Sequence, residues 1–443
     1  MKRFIASWLI FLTAYLVVDC TFAEAVSVAL SVYVFLAFVH QIGEQIALLE
    51  CIGVIASLEI LLIPAVTYQV LPASMPVESS YYFSFALPAY IAFYGGLNWF
   101  SRKQLAHSHQ EYIQAASRYL GDKQITSFGL LIIGLIGFLV KKIYAEAPYA
   151  LSSLPYYCLF ISALYAYYSG SKRRGVVIAL SGFLLLTNAV QTGMFGELFF
   201  WIMLLTLVVA AGQSVQITTR LKTVLVLSAF ALLLLIQSIK GEYRWHTWGY
   251  YRNERSSDAM LMVDLLMDRV SNPEKILTVD QIYLSFVRFN QGIMIGNAMA
   301  KVPVYEAYAN GEVLLSLLYP FVPRLLWPGK PQTGGYENIR RFTTLPQFEN
   351  TSINLSPVGE GYVNFGYGGI LFALFYGILL SSVFQYVVCL AERTPTVILW
   401  LPVLYVGSLT METDLLSTWG GLVNSAIFIS LLFWLLKRLG VQL

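Results

Sequence analysis

Repeated apolar runs of about 20 residues, parted by short polar breaks, limit this chain more than any other feature. A helical run of that length matches the ~30 Å hydrocarbon core of a bilayer. The runs fall at 4–19, 23–40, 50–72, 80–100, 126–144, 150–169, 175–191, 194–211, 221–240, 361–390, 396–411 and 420–437. In lipid every backbone polar group must be bonded within its own segment, so an all-α, polytopic membrane fold with about 12 spans is expected. Of 443 residues, 57% are hydrophobic and 12% charged. That charged share is roughly half that of a soluble domain, and no basic block suggests nucleic acid. Met1-Lys2-Arg3 precedes the first run, but no small-residue cleavage site with a polar domain behind it follows. A first transmembrane helix is therefore expected rather than a signal peptide. No internal repeat is visible, so an inverted-repeat transporter gains no support.

Lysine and arginine positions orient the spans. With a cytoplasmic N-terminus, the inside loops hold Lys2, Arg3, Arg102, Lys103, Arg118, Lys123, Lys172, Arg173, Arg174, Arg220, Lys222, Arg393, Lys437 and Arg438. The short outside loops then hold only Lys141 and Lys142. Both termini are expected in the cytoplasm, with the long segment between the ninth and tenth spans outside. Three regions follow: 1–240 with about nine spans, 241–360 outside the membrane, and 361–443 with about three spans.

The four cysteines, Cys20, Cys51, Cys158 and Cys389, form no CxxC pair and read as small hydrophobes. His107 and His109 have metal-ligand spacing, but only Glu111 stands near as a third ligand, so an ordinary cytoplasmic loop is expected. Glu59 lies well inside the third span, where an acid is either a packing group or a functional one. Asp19, Glu24, Glu78, Glu146, Glu197, Glu412 and Asp414 gather at outside helix ends. Most are expected to be solvated or capping groups, with one or two lining a cleft beneath the large loop. Glu197 suits a helix start, where the dipole favours a carboxylate.

The outside segment begins with Glu242, Tyr243, Arg244, Trp245 and His246, and continues to Arg252 through more aromatic residues. This is either an interfacial belt or a surface for stacking on sugar rings. An amphipathic helix is expected over 257–270. Arg288 then sits among apolar residues beside Asn290 and Gln291, and needs Glu306, Glu312 or a lipid phosphate as partner. Residues 312–327 are apolar but broken by Pro320 and Pro323, as in a re-entrant or interface-lying segment. Arg324, Lys330, Arg340 and Arg341 follow among Pro, Gly, Trp and Asn. Guanidinium groups bind phosphate oxygens in pairs, and fixed cations stabilise charge growing on a leaving diphosphate. Glu360, or second Glu312, is placed to take the proton of an attacking sugar hydroxyl. The plainer alternative pairs these arginines with Glu337, Glu349 and Glu360 in a structural loop. Tyr305, Trp327 and Tyr336 are candidates for packing on sugar rings or a prenyl chain, and Asn364 opens the glycine-rich start of the tenth span.

The sequence Pro-Arg-Leu-Leu-Trp-Pro-Gly-Lys-Pro at 323–331, followed by Asn-Leu-Ser-Pro-Val-Gly-Glu-Gly-Tyr-Val-Asn-Phe-Gly-Tyr-Gly-Gly at 354–369, resembles the Wzy-type O-antigen polymerases. The resemblance covers about 285–375; elsewhere it is one of topology. It implies a GT-C-like, metal-independent membrane glycosyltransferase, with no cofactor, in the bacterial inner membrane. Such enzymes join oligosaccharide units carried on undecaprenyl diphosphate at the periplasmic face, beside a flippase and a chain-length regulator. Arg324, Lys330, Glu360 and Asn364 match the motifs, with Arg288 just upstream, whereas Arg340 and Arg341 lie between them. The rivals are an O-antigen ligase, which would use a periplasmic histidine such as His246, a lipid-linked sugar flippase, and a structural partner of an assembly complex.

Overall fold

The structure is a computed structural model that describes residues 2–100, 107–121, 123–144, 149–170, 172–213, 217–248, 259–276, 278, 287–322, 326–327, 329–331, 335–345 and 353–441. The described residues are helical with no strand. In chain order the helices are α1 (Lys2–Val17), α2 (Phe22–Gln41), α3 (Leu48–Val70), α4 (Ser79–Leu97), α5 (His109–Leu120), α6 (Gln124–Ile143), α7 (Tyr149–Tyr168) and α8 (Arg174–Thr192). They continue with α9 (Phe195–Ala211), α10 (Thr219–Trp248), α11 (Ala259–Ser271), α12 (Gln291–Lys301), α13 (Tyr336–Phe342), α14 (Pro357–Phe365), α15 (Gly369–Ala391), α16 (Pro395–Ser408) and α17 (Leu415–Arg438).

Seven described segments are long and apolar enough to cross a bilayer: α2, α3, most of α6, α8, α10 up to Thr247, α14 with α15, and α17. This is a helical membrane protein, with lipid-facing side chains such as Phe183, Leu227 and Leu371 left exposed. The expected spans at 80–100 and 150–169 do form helices, α4 and α7. Their tyrosines, serines and internal Pro88 and Pro155 keep both below the hydropathy of a span. Helices α1, α9 and α16 are apolar but short.

Local chemistry sets the ends. Thr21 and Glu24 form a reciprocal capping box at the start of α2. Ser356 caps α14, which opens with Pro357 at its first position. Gly193 closes α8 in the left-handed region at φ 61°. Inside the bundle, α4 crosses α15 at backbone contact. A Cβ on Gly96 would lie 2.4 Å from the Leu374 carbonyl oxygen, and one on Gly377 would lie 2.3 Å from that of Phe93. Only glycine permits that approach, which rings from both helices reinforce, Phe93 stacking on Tyr376. Helices α6 and α7 pack similarly through Gly134 and Gly137. Helix α3 carries a π-turn at Leu58–Leu62, which re-aims Glu59 inward.

The expected span at 396–411 is the clearest departure. Helix α16 mixes 3-10 and α turns and ends at Ser408. It rises about 25 Å, short of the ~30 Å core. Residues 409–414 then run without helix before α17 begins, and Leu409, Met411 and Asp414 are buried. The segment expected to be re-entrant at 312–327 contains the 3-10 turns Glu312–Leu317 and Tyr319–Phe321, docked on α17 through a Trp419 Nε1 hydrogen bond to the Leu317 carbonyl at 2.8 Å.

Candidate functional site

The break at 409–414 is held from three directions. Non-helical backbone at membrane depth needs protein partners, and two carboxylates supply them. Glu59 Oε2 accepts the Met411 N–H at 2.6 Å, and Glu360 Oε2 accepts the Leu415 N–H at 2.7 Å. The latter bond places a carboxylate on the positive end of α17. Asn354 Nδ2 donates to the Glu412 carbonyl at 3.1 Å. Asp414 caps α17 by accepting the Ser417 N–H at 3.1 Å.

Glu412 is the carboxylate of this break that faces cations. Its Oε2 lies 3.9 Å from Arg288 NH2. Its Oε1 is buried and accepts no hydrogen bond. Burial pushes the Glu412 carboxyl above its ordinary range, while Arg288 and then Lys240 pull it back. Lys240, near the end of α10, is 8% exposed and makes no hydrogen bond or ion pair among the described residues. It lies within electrostatic range of Arg288, Arg244 and Glu412. Arg244 is one turn further along the same face of α10 and donates from Nε and NH2 to the Gly193 carbonyl, at 3.1 and 3.0 Å. Next to Arg288, Asn290 bonds Thr67 Oγ1 through Nδ2 at 2.9 Å. Its Oδ1 and the Gln291 Oε1 are buried with no hydrogen bond. The result is an acid facing Arg288 and Lys240, with Glu59 near it and unsatisfied polar atoms beside Arg288. Such a centre can bind an oxyanion and can hold or accept a proton at Glu412.

The other sequence-selected residues are distributed differently. Glu360 is 1% exposed, and both its oxygens are engaged, Oε1 accepting from Asn338 Nδ2 at 2.7 Å. It locks α13, α14 and α17 together, and at that burial it is closed to an acceptor hydroxyl. Asn364 is likewise buried, with Oδ1 accepting the Gly311 N–H at 2.9 Å and Nδ2 donating to the Glu360 carbonyl at 2.7 Å. Glu306 and Glu312, expected as partners of Arg288, both pair instead with Arg341, at 2.9 and 2.8 Å. These bonds hold the Arg341 guanidinium above its ordinary pKa. Lys330 Nζ donates to the Val322 carbonyl at 2.9 Å, and Trp327 packs edge-on against Tyr319. Arg340, Tyr305 and Tyr336 are exposed on the late segment. Arg324, Arg252 and Glu349 lie outside the described residues.

Elsewhere, His109 is buried and its Nδ1 accepts the Ile46 N–H at 3.2 Å, while His107 pairs with Glu111 on the surface. No group of three His, Cys, Asp or Glu side chains among the described residues could hold a metal ion. Glu197 approaches Lys141 at 3.9 Å. Sequence reasoning passed over Lys240 because a lysine at the end of an apolar run reads as one that snorkels to the interface. Its signal was the i, i+4 spacing to Arg244.

Fold and site thus define a multi-helix membrane protein with a recessed, cation-rich polar centre. The family model described as "Domain of unknown function (DUF8712)" matches residues 84–394, and the chain belongs to that family. The match takes in Lys240, Arg244, Arg288 and Glu360, and stops before the break that carries Glu412. No curated protein and no solved structure matches the chain.

Proposed function

We propose that this protein is a membrane glycosyltransferase that polymerises oligosaccharide units carried on undecaprenyl diphosphate into a surface polysaccharide. In this reading the twelve apolar runs form a GT-C-like bundle in the inner membrane of a bacterium. The late segment and the 409–414 break face the periplasm. The observation that carries the proposal is the Arg288–Glu412 pair, with Glu412 keeping one buried oxygen free of hydrogen bonds. Arg288 stabilises charge growing on the leaving diphosphate. Glu412 takes the role that sequence alone assigned to Glu360. It accepts the proton of the acceptor sugar hydroxyl as that oxygen bonds the anomeric carbon and the bond from that carbon to the diphosphate breaks. The carrier leaves as the lipid diphosphate, and the proton passes from Glu412 to solvent. Lys330, Arg340 and Arg341 flank the path of the incoming chain, with Tyr305, Trp327 and Tyr336 against sugar rings.

The test is surface-polysaccharide banding in a strain lacking the gene, complemented with wild type or Arg288→Ala. The expected result is single repeat units in the deletion and a ladder with wild type. Arg288→Ala, expressed equally, should lower polymer yield about a hundredfold. Polymer made at full length but left on its carrier would instead identify a ligase. The ligase reading relies on His246, which is exposed and lies two residues past Arg244, about 200° round α10 from it.

A further inference from the structure

Helix α11 divides its circumference three ways. Met262, Leu265 and Arg269 are buried and fall within about 60° of one another at 100° per residue. The two apolar members pack with Ile239 and Tyr243 of α10, Phe195 of α9 and Ala189 of α8. Arg269 fixes this face by donating from NH2 to Glu242 Oε2 of α10 at 2.5 Å. Next round the helix come Met260, Val263, Met267 and Val270, within about 80°. They are 70%, 52%, 61% and 64% exposed. Asp264, Asp268 and Ser271 follow within about 60°. Lys275, in the turn after the helix, donates to Asp268 Oδ1 at 2.6 Å and holds that side in water. A helix packed on a protein in water needs a core arc and a polar arc. Here a third arc, apolar and exposed, lies between them, and a contiguous stripe of that kind marks an interaction surface.

The core arc also sets the height of α11. It packs in a cluster with Ile236 and Ile239, which belong to the apolar run of α10 that stops at Lys240. Beyond that run come Glu242 and Arg244, then Trp245, 70% exposed and placed where an amphipathic ring marks the membrane–water boundary. We infer that α11 is an interfacial helix, seated on the edge of the leaflet, whose Met260–Val263–Met267–Val270 arc enters the upper acyl region. Protein, lipid and water then meet the three arcs in the order in which the sequence sets them. The arc continues the lipid-facing surface that α10 offers through Phe230 and Leu232. The one cation on α11, Arg269, is buried against Glu242, so neutral phospholipid is sufficient and no anionic headgroup is needed. This holds whatever chemistry the polar centre performs, and so stands apart from the function proposed above.

The experiment uses the full chain in phosphatidylcholine nanodiscs, in a cysteine-free background, with a nitroxide on Met267→Cys or Asp264→Cys. Power-saturation EPR compares collisions with oxygen, which concentrates among acyl chains, and with a water-soluble nickel chelate. Leu227→Cys, on the exposed side of α10, supplies the acyl-region reference. Oxygen should dominate at Met267→Cys and place its label about 5–10 Å below the phosphates. The chelate should dominate at Asp264→Cys. Chelate dominance at both positions overturns the inference, because the arc then lies in water. Protection of Met267→Cys from both reagents overturns it as well, because protein then covers the arc. Line broadening at Met267→Cys that vanishes when labelled chains are diluted with unlabelled ones would overturn it by identifying that cover as a second copy of the chain.

Discussion

His109 occupies the first position of α5, with Nδ1 accepting the Ile46 N–H and its ring edge-on to Phe384. Burial lowers its pKa from 6.5 to about 4, and the positive end of α5 acts in the same direction. The unfolded chain therefore binds more protons than the folded one between pH 4 and 6.5. The penalty is absent above that window and grows as pH falls through it, to roughly 3 kcal/mol at about 1.4 kcal/mol per pKa unit. Thermal unfolding should fall from pH 7 to pH 4.5 in wild type. That slope should flatten in His109→Gln, whose amide oxygen can still accept the Ile46 N–H. An unchanged slope would place the acid sensitivity elsewhere. The same residue shows what its pattern could and could not reveal. The His-x-His spacing sends its two rings to different partners, and nothing in the local pattern pointed to Ile46, 63 positions earlier.

At the scale of helices, the close crossing of α4 and α15 is the most demanding contact. A methyl group at Gly96 meets backbone rather than a yielding side chain, so the helices themselves would have to part. Ser381 Oγ also bonds the Gly96 carbonyl at 2.9 Å. Gly96→Val should cost about 1–3 kcal/mol or more and lower the melting temperature in detergent, whereas the same change at Gly95, which faces open space, should cost less. Equal losses at the two positions would dismiss the crossing as the cause. Helix existence was largely legible from the apolar runs, because lipid leaves the backbone few alternatives. The break after Ser408 was not. The apolar run carries on to Met411 before Glu412 and Asp414, and what stops the helix early is distant: Glu59 and Glu360 offer acceptors to the N–H groups of Met411 and Leu415. The pairing of Arg341 with Glu306 and Glu312, rather than with Glu337, is of the same kind, since ion-pair partners in an irregular segment follow from its path and not from spacing.

For the molecule as a whole, the charge asymmetry makes a topological prediction. In a cysteine-free background, Tyr305→Cys, on a residue 80% exposed, should react with a membrane-impermeant maleimide in intact cells. Val441→Cys, beyond the basic end of α17, should react only after lysis. The reverse pattern would invert the orientation and move the polar centre to the cytoplasm. The bond from Met411 to Glu59 joins residues 352 positions apart. A ribosome adding 5–20 residues each second needs about 20–70 s to synthesise that interval. Glu59 thus enters the bilayer long before its partner exists. During that time the growing chain must shelter it against the insertion machinery or among the early helices. Maturation of the N-terminal half therefore waits on the last two helices, and chains that end before residue 411 should be prominent substrates for membrane quality control.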